Sequence, residues 1–256
     1  MARRHDADRS RNRSLITRRG LLKTVGVGVA AGAAGVAGSV GRAAAAGGVV
    51  DLGKEGLQDG DDISPYIDQY WTDGSEVHIP AGSYTYDGSG LHGKRGDCSL
   101  IGSEDGVEFH RVDENAVIRP TIQCTHGTLR IENVTVRGAK PPAENMSGSR
   151  WRLDALDPDS RIEVVNVNHP DGTRGCSDSL AFLTYEDHRG TLHFKNCYVA
   201  NMGNSSFYVN LGYRRGVENP VIVENCTIVN PNGAVRGGHD GAVYRDCTIV
   251  WRDEPN

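Results

Sequence analysis

The stretch that decides the fold is VIVENCTIVN, residues 221–230, in which apolar residues alternate on both sides of an asparagine. The apolar positions lie four and two residues before Asn225 and one and three residues after it: Val221, Val223, Cys226 and Ile228. A period of two is that of a β-strand, but its phase slips by one residue at the asparagine. Both strands therefore keep pointing inward only if the chain bends there. Asparagine tolerates the left-handed backbone that such a bend needs.

The same phrase returns along the chain as LRIENVTV, RIEVVNVN, TLHFKNCYV and AVYRDCTIV. Its corner residues follow one another at intervals of 33, 30, 29 and 21: Asn133, Asn166, Asn196, Asn225 and Asp246. Periods of about 20–50 residues are typical of solenoids, and stacking at the ~4.8 Å strand spacing aligns the corner amides as an asparagine ladder. We expect the ladder to bury Asn133 and Asn225, although both lie in N-x-[ST] sequons.

The phrase [LIV]-x-[IVF]-x-N-[VC]-x-[VI], clear over residues 129–250, resembles right-handed parallel β-helix proteins of the pectin-lyase-like class. A weaker part, EVHIPAGSYTYDG at 76–88, resembles the first coil of many such chains. The resemblance implies an all-β, single-stranded right-handed parallel β-helix of about six coils. Ahead of it, Ser64 as N-cap and Pro65 at the first helical position predict a short helix that caps the N-terminal end.

The first 46 residues predict an export signal. A basic leader ends in Arg18 and Arg19, a weakly apolar Gly/Ala run follows, and 43–46 offers A-x-A cleavage sites, which together resemble a twin-arginine signal. We divide the chain into a signal peptide, 1–46, and a β-helix domain, 47–256, and expect secretion or a cell-surface location. A transmembrane anchor is the alternative. It is disfavoured because the run is shorter than the ~20 residues of a span, so no membrane span is expected after cleavage.

Composition limits the partners. Residues 47–256 hold 19 Lys and Arg against 31 Asp and Glu, a net charge of −12. This argues against nucleic acid, because phosphate binding needs a basic surface. An acidic, exported chain with five lysines in all resembles the exported proteins of salt-loving archaea.

Three cysteines each follow a corner residue, which predicts an inward-facing column in adjacent coils: Cys197, Cys226 and Cys247. The spacing falls within the ~4.4–6.8 Å Cα range of disulfides, so a bridge is one alternative. Folding before export, in a reducing compartment, favours free thiols that pack as small apolar side chains. A zinc site is not indicated, because the chain has no C-x-x-C pair.

A second set of strands lies between the corner phrases. We expect these strands to point inward at Leu153, Leu183, Val209 and Val235. Their sequence neighbours then point outward and form a row of side chains, the outward ladder, along a shallow groove. The resemblance implies that such a ladder holds a polysaccharide, because arginines bind uronate carboxylates and aromatic faces stack on sugar rings. The expected substrate-binding residues are Arg152, Phe182, Thr184, Tyr208, Asn210 and Arg214.

The candidate catalytic residues are Asp154, Glu186, Arg236, His239 and Asp240, with Asp187 and His188 beside them in sequence. A lyase needs a base of near-neutral pKa and a cation, often Ca²⁺ on carboxylate ligands, whereas a hydrolase needs two suitably separated carboxyl groups. The family's hydrolase motifs N-T-D, D-D with G-H-G, and R-x-K are absent from the sequence.

We therefore expect a secreted polysaccharide lyase-like enzyme that acts on an acidic polysaccharide. The alternative is a non-catalytic glycan-binding or cell-surface structural module, because one architecture hosts many activities. His188 and His239 also fit a structural role in turns, and solvated acidic surface remains an alternative to calcium sites.

Overall fold

The computed structural model describes residues 47–113, 116–138, 150–172, 179–209, 220–237 and 241–252. These residues form a parallel β-solenoid with these elements: β1 (Val49–Asp51), α1 (Ser64–Tyr70), β2 (Glu76–Ile79), β3 (Gly82–Tyr86), β4 (Gly93–Arg95), β5 (Cys98–Gly102), β6 (Val107–Arg111), β7 (Thr121–Cys124), β8 (Thr128–Val136), β9 (Trp151–Ala155), β10 (Arg161–Asn168), β11 (Leu180–Leu183), β12 (Thr191–Lys195), β13 (Tyr198–Ala200), β14 (Ser205–Tyr208), β15 (Val221–Glu224), β16 (Thr227–Val229), β17 (Gly233–Arg236), β18 (Val243–Arg245) and β19 (Thr248–Val250). The predicted signal, 1–46, lies outside the described residues.

The strands stack into three faces. The first face runs β1-β2-β5-β8-β10-β12-β15-β18, and the third face runs β4-β7-β9-β11-β14-β17. The second face joins β3 and β6 to the ends of β8 and β10, and continues through β13, β16 and β19. The six strands of the third face enclose five full turns, slightly fewer than the six coils expected.

The corner between the first and second faces is the predicted one. All five corner residues have a positive φ, between 49° and 57°. The amide of Asn166 donates to Asn133 Oδ1 at 2.9 Å, and the amide of Asn225 donates to Asn196 Oδ1 at 2.8 Å. The expected burial is wrong, since Asn225 is exposed and Asn133 is half-buried. The ladder lies on the outer edge of the corner, because a left-handed residue turns its side chain away from the inward apolar rows.

A second asparagine corner, not predicted from the sequence, ends the second face. Asn201 and Asn230 have φ values of 59° and 47°, and the amide of Asn230 donates to Asn201 Oδ1 at 3.1 Å. Their interval of 29 residues equals that between Asn196 and Asn225, which is the signal that identifies them in the sequence.

Helix α1 takes the place of a third-face strand beneath β4. A Cβ on Gly90 would lie 2.7 Å from Ile67 Cβ, so only glycine lets the helix pack this closely. The predicted capping helix is confirmed, but its N-cap is Ile63 rather than Ser64. Asp62 Oδ1 accepts the Ser64 N–H at 3.0 Å, and the Ser64 hydroxyl accepts the N–H of Asp87, so the serine fastens the helix to the next turn. Within the described residues, no helix is long and apolar enough to cross a membrane.

The cysteine column is confirmed. Cys197 and Cys226 are each 1% exposed, Cys247 is half-buried, and all three thiols are free. They pack beside the apolar rows of the first two faces, so they act as small core side chains.

Candidate functional site

The outward ladder of the third face contains other residues of β11 than expected. Parallel pairing aligns Arg152 with Leu183, and Leu183 with Tyr208, whereas Phe182 aligns with Phe207 in the interior. The predicted phase of β11 was therefore wrong by one residue. The reason is local: LAFL is apolar at all four positions, so its alternation carries no phase.

Phe182 cannot contribute a sugar-stacking surface. Its ring is fully buried and lies 4.7 Å from the ring of Phe194 and 5.3 Å from that of Phe207, measured between centroids. Thr184 is also buried, at 2% exposure, and its backbone N–H donates to Tyr208 O at 3.1 Å. These two residues were expected to point outward to a ligand, and the structure corrects both.

Arg152 and Asp154 do converge, together with the turn that follows β11. The Arg152 Nε donates to Asp154 Oδ2, and Arg152 Nη2 lies 3.2 Å from Asp187 Oδ2. The guanidinium also lies 4.2 Å from the ring centroid of Tyr185, whose backbone N–H donates to Asp154 Oδ1 at 2.8 Å. Burial raises the pKa of Asp154, although the Tyr185 amide and Arg152 oppose this. Since these residues bind one another, the cluster is a clamp that holds the turn on β9.

The other residues of this turn are divided between core and surface. The buried His188 accepts the N–H of Ala155 through Nδ1 at 3.0 Å. Glu186 is exposed, and its carbonyl oxygen accepts a bond from Arg189. The described contacts of Asp154 therefore come from Arg152 and Tyr185, and Glu186 points to solvent.

Arg236 and Tyr208 form a separate outward pair. The exposed guanidinium lies 4.7 Å from the centroid of the half-buried ring. The remaining predicted site residues lie outside the described residues and stay predictions: His239, Asp240, Asn210 and Arg214.

The outer side of the first face is covered by paired charges. One continuous chain of contacts of 2.7–3.0 Å runs across successive turns and links Glu132, Arg130, Glu163, Arg161, His193, Glu224 and Arg245. Each glutamate in it contacts at least one arginine, so this surface offers a ligand little uncompensated charge.

A cleft that the sequence did not indicate opens where the second face leads toward the third. Polar residues at its wall lie at or after the ends of second-face strands or directly before a third-face strand: Arg111, Arg137, His169, Asp171 and Ser179. Its interior is about 30 Å³, enough for one or two water molecules or a single carboxylate group.

Arg137 is held at the cleft by a strong ion pair. Its Nε and Nη2 donate to Glu108 Oε1 at 2.9 and 2.7 Å. This pairing lowers the pKa of Glu108 and raises that of Arg137. A longer contact of 3.7 Å joins Arg137 Nη1 to Asp171 Oδ2. The short pair fixes the guanidinium, whereas the longer one leaves room for a competing carboxylate.

His169 is the unusual residue of the cleft. It is 7% exposed, its Nε2 has no hydrogen-bond partner among the described residues, and its ring packs edge-on against Trp151 and Phe182 at 5.5 and 5.0 Å. Burial lowers its pKa to about 3, so the ring is neutral at neutral pH. A buried polar atom without a partner costs about 1–3 kcal/mol, so a ligand group that reached this nitrogen would remove that cost.

The sequence carries a weak signal for this cleft. Arg111, Arg137 and His169 each come at or just after the end of a second-face strand, in successive turns. Polar residues at the ends of stacked strands lie close together although ~30 residues separate them. The corner asparagines form the stronger pattern in the sequence, because they recur inside a fixed phrase.

Metal ligation has no support in the described part of the chain. No group of three or more His, Cys, Asp or Glu side chains there is arranged to hold a metal ion. The expectation of Ca²⁺ therefore has no ligand cluster in these ranges.

Comparison with known proteins yields no relative: no protein-family model, no curated protein and no solved structure matches this chain.

Proposed function

We propose that this chain is an exported β-solenoid protein that binds the carboxylate groups of an acidic polysaccharide. The observation that carries the proposal is a cleft lined by two arginines and by buried His169, whose Nε2 has no partner in the part of the chain that the structure describes. Carboxylate oxygens accept charge-assisted hydrogen bonds from arginine, and a sugar hydroxyl pairs with a neutral imidazole nitrogen. A uronate unit presents both groups.

The size and charge of the cleft define what enters it. A volume of about 30 Å³ admits one functional group rather than a sugar ring, so the carboxylate enters and the ring stays outside. Since residues 47–256 have a net charge of −12, a polyanion is attracted only where arginines concentrate positive charge. Arg111 and Arg137 bring two positive charges to the cleft, but Arg137 also contacts Glu108 and Asp171, so a uronate carboxylate has to displace Asp171 to reach it.

The low basicity of His169 favours binding over cleavage as the function of the cleft. An efficient general base has a pKa near the working pH, whereas burial holds His169 at about 3. The same burial that keeps its nitrogen neutral makes it a poor proton acceptor.

Cleavage by β-elimination is the second candidate. Guanidinium groups that neutralise a uronate carboxylate also make its α-proton more acidic, and Arg111 and Arg137 are placed for that. The base would then be another residue, with His239 and Asp240 as the sequence candidates. Membership of the pectin-lyase-like class, twin-arginine export and a salt-loving archaeal source are likewise proposals, which rest on the corner phrase, the paired arginines and the acidic composition.

Calorimetric titration of the purified protein with oligogalacturonate tests the proposal, with a neutral oligosaccharide of equal length as the reference ligand. Arg111→Gln and His169→Phe should each weaken binding about tenfold or more, the effect of one lost charge-assisted or buried hydrogen bond. Arg245→Gln is the control, because it removes an arginine from the first face, away from the cleft, where Arg245 contacts Glu224.

Equal affinity for the neutral sugar, or equal losses in all three variants, would contradict carboxylate recognition in the cleft. Ultraviolet absorbance of an unsaturated product during the same titration would establish the second candidate.

A further inference from the structure

Three cysteines stand above one another on successive turns. The N–H of Thr227 donates to Cys197 O, and that of Thr248 donates to Cys226 O, each at 2.9 Å. These bonds hold Cys197, Cys226 and Cys247 in register, each directly before a strand of the second face: β13, β16 and β19. Such strands lie ~4.8 Å apart, within the ~4.4–6.8 Å Cα separation of disulfides.

The three thiols differ in access. Cys197 and Cys226 are each 1% exposed, whereas Cys247, on the outermost described turn, is half-buried. Cys247 Sγ lies 3.5 Å from Val223 O and so leans toward the turn that holds Cys226. A reagent from solvent therefore reaches Cys247 first.

They also differ in reactivity. A hydrogen bond from the Cys197 thiol to the Cys226 sulfur lowers the pKa of Cys226, while burial raises the pKa of Cys197 and of Cys247. Because the thiolate is the attacking form, Cys226 is the thiol best prepared to attack a neighbouring sulfur.

We propose that Cys226 and Cys247 form a thiol–disulfide exchange site at which a small-molecule disulfide links the last described turn to the turn before it. Cys247 attacks one sulfur of the reagent, which breaks its S–S bond, forms a mixed disulfide and releases one thiol. Cys226 then attacks Cys247 Sγ, which forms the internal disulfide and releases the second thiol. Two protein thiols are oxidised, the reagent disulfide is reduced to two thiols, and the two cysteine protons end on these products.

The bond would fasten the least protected turn. Val243, Tyr244 and Ile249 are 40%, 39% and 45% exposed, whereas their counterparts one turn earlier are largely covered. A covalent link at Cys247 holds this turn against the solenoid without any change in its strand pairing.

The test is oxidation of the reduced full-length protein with excess oxidised glutathione, followed by alkylation and tryptic mapping. Trypsin places the three cysteines in separate peptides, 196–214, 216–236 and 246–252. We expect 216–236 to be joined to 246–252, the loss of two of the six thiols, and a higher melting temperature with an unchanged circular dichroism spectrum.

Variants assign the roles. Cys247→Ser should lose the link, and Cys197→Ala should form it more slowly, because Cys226 loses its hydrogen-bond donor. Cys98→Ser, at a buried thiol that pairs with Leu129, should form the link at the wild-type rate. Retention of all six thiols, arrest at a glutathione adduct on 246–252, or a link between 196–214 and 216–236 would overturn the proposal.

Discussion

The side-chain amide of Asn225 donates a hydrogen bond to the side-chain oxygen of Asn196 at 2.8 Å, and both residues have a left-handed backbone. The two residues are 29 positions apart in sequence and occupy the same corner of successive turns. Asparagine thus has two roles here: its backbone makes the bend, and its amide joins one bend to the next.

Replacement of Asn225 should separate these two roles. Asn225→Ala should lower the free energy of unfolding by about 2–3 kcal/mol, because alanine resists the left-handed backbone and the ladder loses a hydrogen bond. Asn225→Gly keeps the backbone freedom and should lose only about 1 kcal/mol. Urea unfolding measures both variants, and equal losses would show that the backbone term is absent. Glycan binding should be unchanged in both.

The next rung of the ladder offers a stabilising change. Asp246 has the corner backbone, with φ 54°, but a carboxylate has no N–H to donate to Asn225. Asp246→Asn should therefore raise the free energy of unfolding by about 0.5–1.5 kcal/mol at neutral pH. Asp246→Gly, which fits the same φ without a donor, serves as the control in urea unfolding. A gain in the glycine variant as large as in the asparagine variant would contradict the ladder explanation.

The first two faces were predictable because the asparagine breaks the alternation and so fixes the phase on each side of it. The third face has no such marker, and the four apolar residues of LAFL left Phe182 and Leu183 interchangeable. The cleft was not predicted, since Arg111, Arg137 and His169 come from different turns and share no short motif. Residues that come together only because successive turns stack do not form a motif within the sequence of any one turn.

Loss of Arg152 should test whether its cluster is a structural clamp. Arg152→Gln leaves the fully buried Asp154 carboxylate without its cation, and we expect about 3–5 kcal/mol of destabilisation. The double variant Arg152→Gln/Asp154→Asn should recover much of this loss, because the uncompensated charge is removed. Thermal and urea unfolding measure the recovery. A double variant no more stable than Arg152→Gln would instead indicate that Asp154 has partners beyond those described.

The Glu108–Arg137 pair predicts a contribution to acid sensitivity. Arg137 holds the pKa of Glu108 below its ordinary value of 4.5, so the native state favours the ionised form. The stability from this pair is complete above the unfolded-state pKa and is lost as the pH falls through the lower, folded-state pKa. Glu108→Gln should therefore flatten the fall in unfolding free energy over that acidic range. Glu104→Gln, at an exposed glutamate in the turn before β6, is the control and should follow the wild-type pH profile.

His169→Phe should stabilise the protein and weaken its glycan binding. The ring already packs edge-on against Trp151 and Phe182, so phenylalanine keeps these contacts and removes a buried nitrogen that lacks a partner within the described ranges. We expect a gain of about 1 kcal/mol in unfolding free energy, with part of the removed polar cost offset by the larger ring. Arg111→Gln removes a positive charge from the same cleft but leaves the His169 nitrogen in place, so it should weaken binding with no comparable gain in stability. If His169 has only a structural role, its nitrogen serves the fold rather than the ligand. His169→Phe would then lower stability and leave glycan binding unchanged.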